Sequence, residues 1–203
     1  MRKHPATATH AAWIVIAMWA PYVVLNTLLP GPLLTYGLGL LLTYGLGLLI
    51  ALVALGLLWS AGISPRACFL SLALPSRQGL VLLALLSAFI PAALLLGRGQ
   101  PFSWLDDLVY APASALGQEL FFRSALLVAL GTVWRGDARL ALAGQALAFA
   151  LWHVRAFRVA PLAPAVGVLV MTFVAGLLWG MEVRRDRTML YAVLQHALFL
   201  AIQ

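Results

Sequence analysis

Apolar residues run through this chain in long blocks, broken by short polar or proline-bearing stretches. Seven blocks stand out, at about 11–29, 33–59, 79–96, 108–132, 139–153, 165–182 and 188–202. Most approach the ~20 residues a helix needs to cross the hydrocarbon core of a bilayer. The fifth and seventh are short, so those helices tilt inward or stop before the far surface. Turn formers separate the blocks: Pro30-Gly31-Pro32, Ser64-Pro65, Pro75-Ser76, and Pro161 with Pro164. The pattern predicts an all-α fold, a polytopic transmembrane bundle of about seven helices, as one integral membrane domain over 1–203. The first block is long for a signal-peptide core and no small-x-small site follows it, so it reads as a retained helix.

The second block carries a tandem copy, LLTYGLGL at Leu33–Leu40 and again at Leu41–Leu48. Removing one copy leaves a helix of ordinary length. A local duplication that lengthened the helix explains this better than a glycine packing face through Gly37 and Gly45.

Composition agrees with a membrane solvent. The chain is 64% hydrophobic and 9% charged, where soluble domains carry roughly 25% charged residues. Its net charge of +7 comes from single arginines between apolar blocks rather than a basic stripe with aromatics, which excludes nucleic acid as a partner. Those arginines set topology instead. With the N-terminus in the cytoplasm, nine basic residues fall inside (Arg2, Lys3, Arg66, Arg77, Arg135, Arg139, Arg184, Arg185, Arg187) and three outside (Arg98, Arg155, Arg158). The lone Cys68 excludes an internal disulfide.

Charge within the blocks is the chemical signal. Glu119 and Arg123 lie inside the fourth block, four residues apart with the acid first, so a helix presents them as a pair on one face. Each would cost roughly 2.5–3.5 kcal/mol to insert unpaired. His153 closes the fifth block and His196 lies in the seventh. Glu182 sits beside Arg184 and Arg185 and reads as an interfacial salt-bridge partner. Asp106 and Asp107 read as solvated residues ahead of the fourth helix. Taken singly, these are a buried ion pair and two interhelical histidines. Taken together, a carboxylate and two imidazoles in a low-dielectric bundle suit general-base activation of water or metal binding.

These residues fall into a known pattern. Gln118-Glu119-Leu120-Phe121-Phe122-Arg123 resembles the EExxxR signature of the CAAX-protease and bacteriocin-processing (CPBP) family of glutamic-type intramembrane proteases. Phe149-Ala150-Leu151-Trp152-His153 matches its FxxxH motif. Phe173, Gly176 and Gly180 resemble the small-residue helix that follows, and His196-Ala197-Leu198-Phe199-Leu200 resembles HxxxN. The resemblance covers about 108–203, in order and in spacing.

The resemblance implies an endopeptidase that cuts membrane-anchored protein or peptide clients near their C-termini. A glutamate activates water, histidines and an asparagine stabilise the oxyanion, and no organic cofactor takes part. Carried over by position, the catalytic set is Gln118, Glu119, Arg123, His153 and His196, with Phe149 packed beside His153. Two positions depart from the pattern. Gln118 stands where the family has its first glutamate, and glutamine accepts no proton at neutral pH. Leu200 stands where the family has asparagine, removing an oxyanion donor of the kind worth about 2.7–4 kcal/mol.

Three explanations follow: Glu119 serves as base with Gln118 orienting water, Gln118 is an inactivating replacement, or the protein binds clients without cutting them. The last makes it a membrane scaffold or immunity-type protein. A zinc-dependent protease is a further alternative, with Glu119, His153 and His196 as ligands, although no HExxH is present. Under the orientation above, the site lies toward the outer half of what the resemblance implies is a bacterial inner membrane.

Overall fold

The computed structural model describes residues 5–28, 37–87 and 104–202. The Pro30-Gly31-Pro32 turn, the start of the tandem copy, the far end of the third block and Arg98 lie outside the described residues. So do the side chains of Asp106 and Asp107.

Every described element is helical. The chain runs through α1 (Pro5–Leu28), α2 (Gly37–Ser60), α3 (Arg77–Ser87), α4 (106–133), α5 (Ala138–Trp152), the short α6 (Ala156–Val159), α7 (Leu162–Asp186) and α8 (Leu190–Ile202). The fold class read from the blocks is therefore the fold observed. Four stretches are long and apolar enough to cross a membrane: Ala6–Leu28, Leu108–Val133, Ala138–Val159 and Leu162–Asp186. Gly45–Ser60 and Leu190–Ala201 are shorter apolar helices.

The helices are not equivalent. In α4, 72% of the apolar window is buried inside the protein, against 22%, 28% and 17% in the other three long stretches. Thus α4 is the central strut and its neighbours face lipid. This answers the cost of Glu119 and Arg123 on α4, because their side chains never meet hydrocarbon tails. The core around it contains Ala12 and Val15 of α1, Ala51, Ala54 and Leu58 of α2, and Phe121, Phe122 and Ala125 of α4, all fully buried.

The winding of α4 changes along its length. Two stretches, Asp106–Tyr110 and Leu120–Leu126, are π-helical, flanking α-helical Ala111–Glu119. At the second, the Leu127 N–H donates to the Phe122 carbonyl, five residues back. Such wide turns are rare and concentrate at functional sites. Here the wide turn carries Arg123.

Small residues set the closest helix contacts. A Cβ on Gly176 of α7 would lie 3.0 Å from the Ala146 Cα of α5, and one on Gly117 of α4 would lie 3.3 Å from the Leu48 backbone N of α2. On α2 the tight position is Gly47, whose Cβ would come 3.1 Å from the Tyr22 hydroxyl, whereas Gly45 has nothing within 4 Å among the described residues. The glycine-face reading of the tandem copy therefore fails at Gly45.

The connections are locally specified. Arg135 (φ 52°) and Gly136 (φ 87°) turn α4 into α5, and the Asp137 carboxylate caps α5 by accepting from the N–H groups of Arg139 and Leu140 at 2.9 and 3.0 Å. Arg187 (φ 60°) ends α7, after which the Thr188 hydroxyl donates to the Ser71 carbonyl and accepts from the Leu190 N–H. The connection between α2 and α3 is thereby docked beneath the α7–α8 turn.

Cys68 lies in that connection, fully buried. Burial pushes its thiol from 9.0 up to about 11, against a smaller opposing pull from a Trp59 hydrogen bond. A thiol pKa raised by folding means the folded state holds the proton more tightly. The associated stability is complete below pH 9.0 and is lost as pH rises toward about 11. We expect Cys68 in the folded protein to be alkylated about 100-fold more slowly at pH 8 than in the denatured chain, read by mass spectrometry. Equal rates would mean that the connection does not shield the thiol.

Candidate active site

The site is assembled by α4, α5, α7 and α8. Glu119 is fully buried, and its two carboxylate oxygens are divided between two partners. The Nδ1 of His196 lies 2.7 Å from Oε1, and the Nε of Arg123 lies 3.0 Å from Oε2. The sequence spacing put Glu119 and Arg123 on one face of α4, and that pair is what the structure contains. The Arg123 contact is a charge contact, because the N–H direction does not meet the oxygen as a hydrogen bond would.

Arg123 is also fully buried, and among the described residues neither of its Nη atoms has a hydrogen-bond partner. Aromatic faces take that role. Its guanidinium carbon lies 4.0 Å from the Phe149 ring centroid and 5.3 Å from that of Trp179, a cation–π arrangement that gains strength when desolvated.

Phe149 is the hub. Its ring meets His153 edge-on at 4.8 Å and His196 edge-on at 5.8 Å. His196 stacks on Trp179 at 4.8 Å with the planes 25° apart. The Nδ1 of His153 lies 2.9 Å from the Phe149 carbonyl oxygen. A carbonyl only accepts, so this Nδ1 carries the proton and Nε2 is left as the free nitrogen. In His196 the carboxylate of Glu119 selects the same tautomer.

Both histidines line one cavity of about 410 Å³ between α7 and α8. Its wall is mainly apolar, with Phe149, Met171, Leu178 and Phe199 among the lining residues, and Leu200 at the position where the family pattern has asparagine. Glu119 does not line this cavity; it lies behind His196.

Gln118 faces elsewhere. It lines a separate space of about 40 Å³ with Tyr22, Asn26, Ser114 and Trp152. Its Nε2 donates to the Ser114 hydroxyl at 2.9 Å, and its Oε1 is buried with no partner among the described residues. The Trp152 Nε1 in the same lining is likewise unpartnered. The space is large enough for water to join the two.

Among the described residues no three His, Cys, Asp or Glu side chains lie close enough to hold a metal ion.

Sequence reasoning misread one residue and overlooked three. Glu182 is not an interfacial salt-bridge partner. It is fully buried, both its oxygens lack partners among the described residues, and the acid one turn on, Asp186, is buried beside it in the same state. Arg184 turns instead to the Ala138 carbonyl, at 2.8 Å. The overlooked residues are Trp179, Gln195 and Gln145. Two of them are amides inside apolar blocks, which was the available signal, since such groups rarely enter a bilayer without a partner. Among the described residues the fully buried Gln145 has no partner for its amide, whereas Gln195 is bonded on both sides.

The family model described as type II CAAX prenyl endopeptidase Rce1-like matches residues 100–202. No curated protein and no solved structure matches the chain.

Proposed function

From the premise that the chain belongs to the Rce1-like family of type II CAAX prenyl endopeptidases, we propose that it is an intramembrane endopeptidase using water as nucleophile. Its clients are membrane-anchored proteins cut near the C-terminus. The observation that carries the mechanism is the Glu119–His196 hydrogen bond behind a cavity that also holds His153.

In this reading Glu119 acts through His196 rather than on water directly, because both its oxygens are engaged and it is absent from the cavity wall. Water in the cavity gives a proton to His196 Nε2 as its oxygen attacks the scissile carbonyl carbon. Glu119 stabilises the imidazolium that forms. The same proton then passes to the leaving nitrogen as the C–N bond breaks, the logic of a carboxylate-oriented imidazole. His153 Nε2 accepts the second hydrogen of the water and so orients it. Arg123 fixes the carboxylate. Gln118 holds water in the small space on the other side of α4 and supports the fold there. No metal or organic cofactor is required.

Leu200 offers the oxyanion no donor, so the enzyme is slow. One specific observation favours a second reading: with Gln118 outside the cavity and Leu200 within it, the same cavity could hold a client segment as a scaffold without cutting it.

The test is co-expression with epitope-tagged reporters whose C-terminal tails cross the membrane in either direction. Size on a gel reports cleavage, with and without a chelator. Our proposed orientation, with the N-terminus in the cytoplasm of a bacterial inner membrane, puts the site in the outer half, so exported reporters should be cut. Leu200→Asn should speed cleavage by up to about 10²-fold by restoring a donor, and Gln118→Glu should not. Cleavage that appears only with Gln118→Glu would overturn the assignment of the base, and chelator sensitivity would overturn the metal-free mechanism.

A further inference from the structure

Gln195 precedes His196 on α8, and its amide is bonded in three directions. Its Oε1 accepts from the Trp179 indole N–H at 3.1 Å. Its Nε2 donates to the Leu83 carbonyl at 2.7 Å and to the Ser87 hydroxyl at 3.0 Å. One side chain therefore joins α8, α7 and α3, and it borders the cavity, as do Trp179 and Ser87.

The indole that Gln195 holds is the surface on which His196 stacks, and it also faces the Arg123 guanidinium. An indole has a single N–H, so one acceptor fixes its rotation about the ring-to-backbone bond. Trp179 lines one face of His196 while Glu119 holds its Nδ1. The ring of His196 is thus fixed by two contacts, and one depends on Gln195. A buried amide with an acceptor bond and two donor bonds is also costly to replace, since its partners are left unpaired.

We propose that Gln195 is a positioning residue for His196, acting through Trp179, and that it ties the α3 wall of the cavity to the reacting imidazole. This rests on His196 as the reacting base, but its structural half can be tested without cleavage. In ¹⁵N-histidine-labelled protein in detergent micelles, the imidazole resonances of His196 report its tautomer and the order of its ring.

Gln195→Met keeps length and volume but removes every bond. It should change the His196 imidazole ¹⁵N shifts and broaden its resonances. Gln195→Glu keeps an acceptor for Trp179 and loses the donors to α3, so its His196 resonances should stay sharper than those of Gln195→Met. Where cleavage is measured, Gln195→Met should lower kcat by about 10–100-fold, the scale of a small misplacement of a reacting group, with KM within about twofold. Trp179→Phe, which retains an aromatic face without the N–H, should lose no further activity when combined with Gln195→Met.

An unchanged His196 imidazole ¹⁵N pattern in Gln195→Met would overturn the proposal whether or not the protein cleaves. So would additive losses in the double variant. A changed ¹⁵N pattern in a protein that cuts none of the reporters would leave the positioning role standing and count against the protease reading instead.

Discussion

Glu119→Gln is expected to reduce cleavage by about 10²–10⁴-fold, the usual scale for losing a general base or the group that empowers it. The exchange is nearly isosteric, and an amide oxygen still accepts from the His196 Nδ1–H, so the fold should survive. What disappears is the negative charge 2.7 Å from the imidazole. Without it the imidazolium formed during attack faces only the Arg123 guanidinium and aromatic rings. A neutral amide can also turn its NH₂ toward Nδ1 and select the other tautomer, which would point a proton rather than a lone pair into the cavity.

Two measurements separate these causes from general damage. Thermal unfolding in detergent should move by only a few degrees, and the His196 ¹⁵N pattern should change. Retained activity above about a tenth would sink the assignment of Glu119, as would an equal loss in Gln118→Leu, because Gln118 does not reach the cavity.

Much of this arrangement was legible in the residues. Block length and composition specify membrane helices, since no other folding gives a 64% hydrophobic chain a solvent. The separation of Glu119 from Arg123 places both on one face of α4. What could not be read is which way each face points. Gln118 and Glu119 are adjacent, and adjacent residues on a helix diverge by about 100°. One therefore enters the small space beside Tyr22, the other the pair with His196. The π-helical turn at Leu120–Leu126 leaves no sequence mark, because it is a matter of tertiary packing rather than propensity. Glu182 was misjudged for a related reason. Its neighbours Arg184 and Arg185 are close in sequence, but residues two and three positions on along a helix do not all share its face.

The buried pair also makes a stability prediction with a sign that distinguishes coupling from simple loss of contacts. Arg123→Met should destabilise the protein by about 3–5 kcal/mol, because it leaves Glu119 in a low-dielectric interior with His196 as its remaining partner. Arg123→Lys should be damaging too. An ammonium is a point charge without the planar face that lies 4.0 Å over Phe149 and 5.3 Å from Trp179. Glu119→Gln alone leaves a cation, but one still faced by two rings, a contact worth about 2 kcal/mol when desolvated. The two charges are therefore unequal: the carboxylate loses its full counter-charge and keeps only the His196 hydrogen bond, while the cation keeps both rings. It follows that Glu119→Gln combined with Arg123→Met should be more stable than Arg123→Met by itself, since the second substitution removes the orphaned charge. Thermal unfolding of the three variants in one detergent reads the difference. Strictly additive losses would show that Arg123 serves by packing under Phe149, and that its charge contributes nothing to holding Glu119 in place.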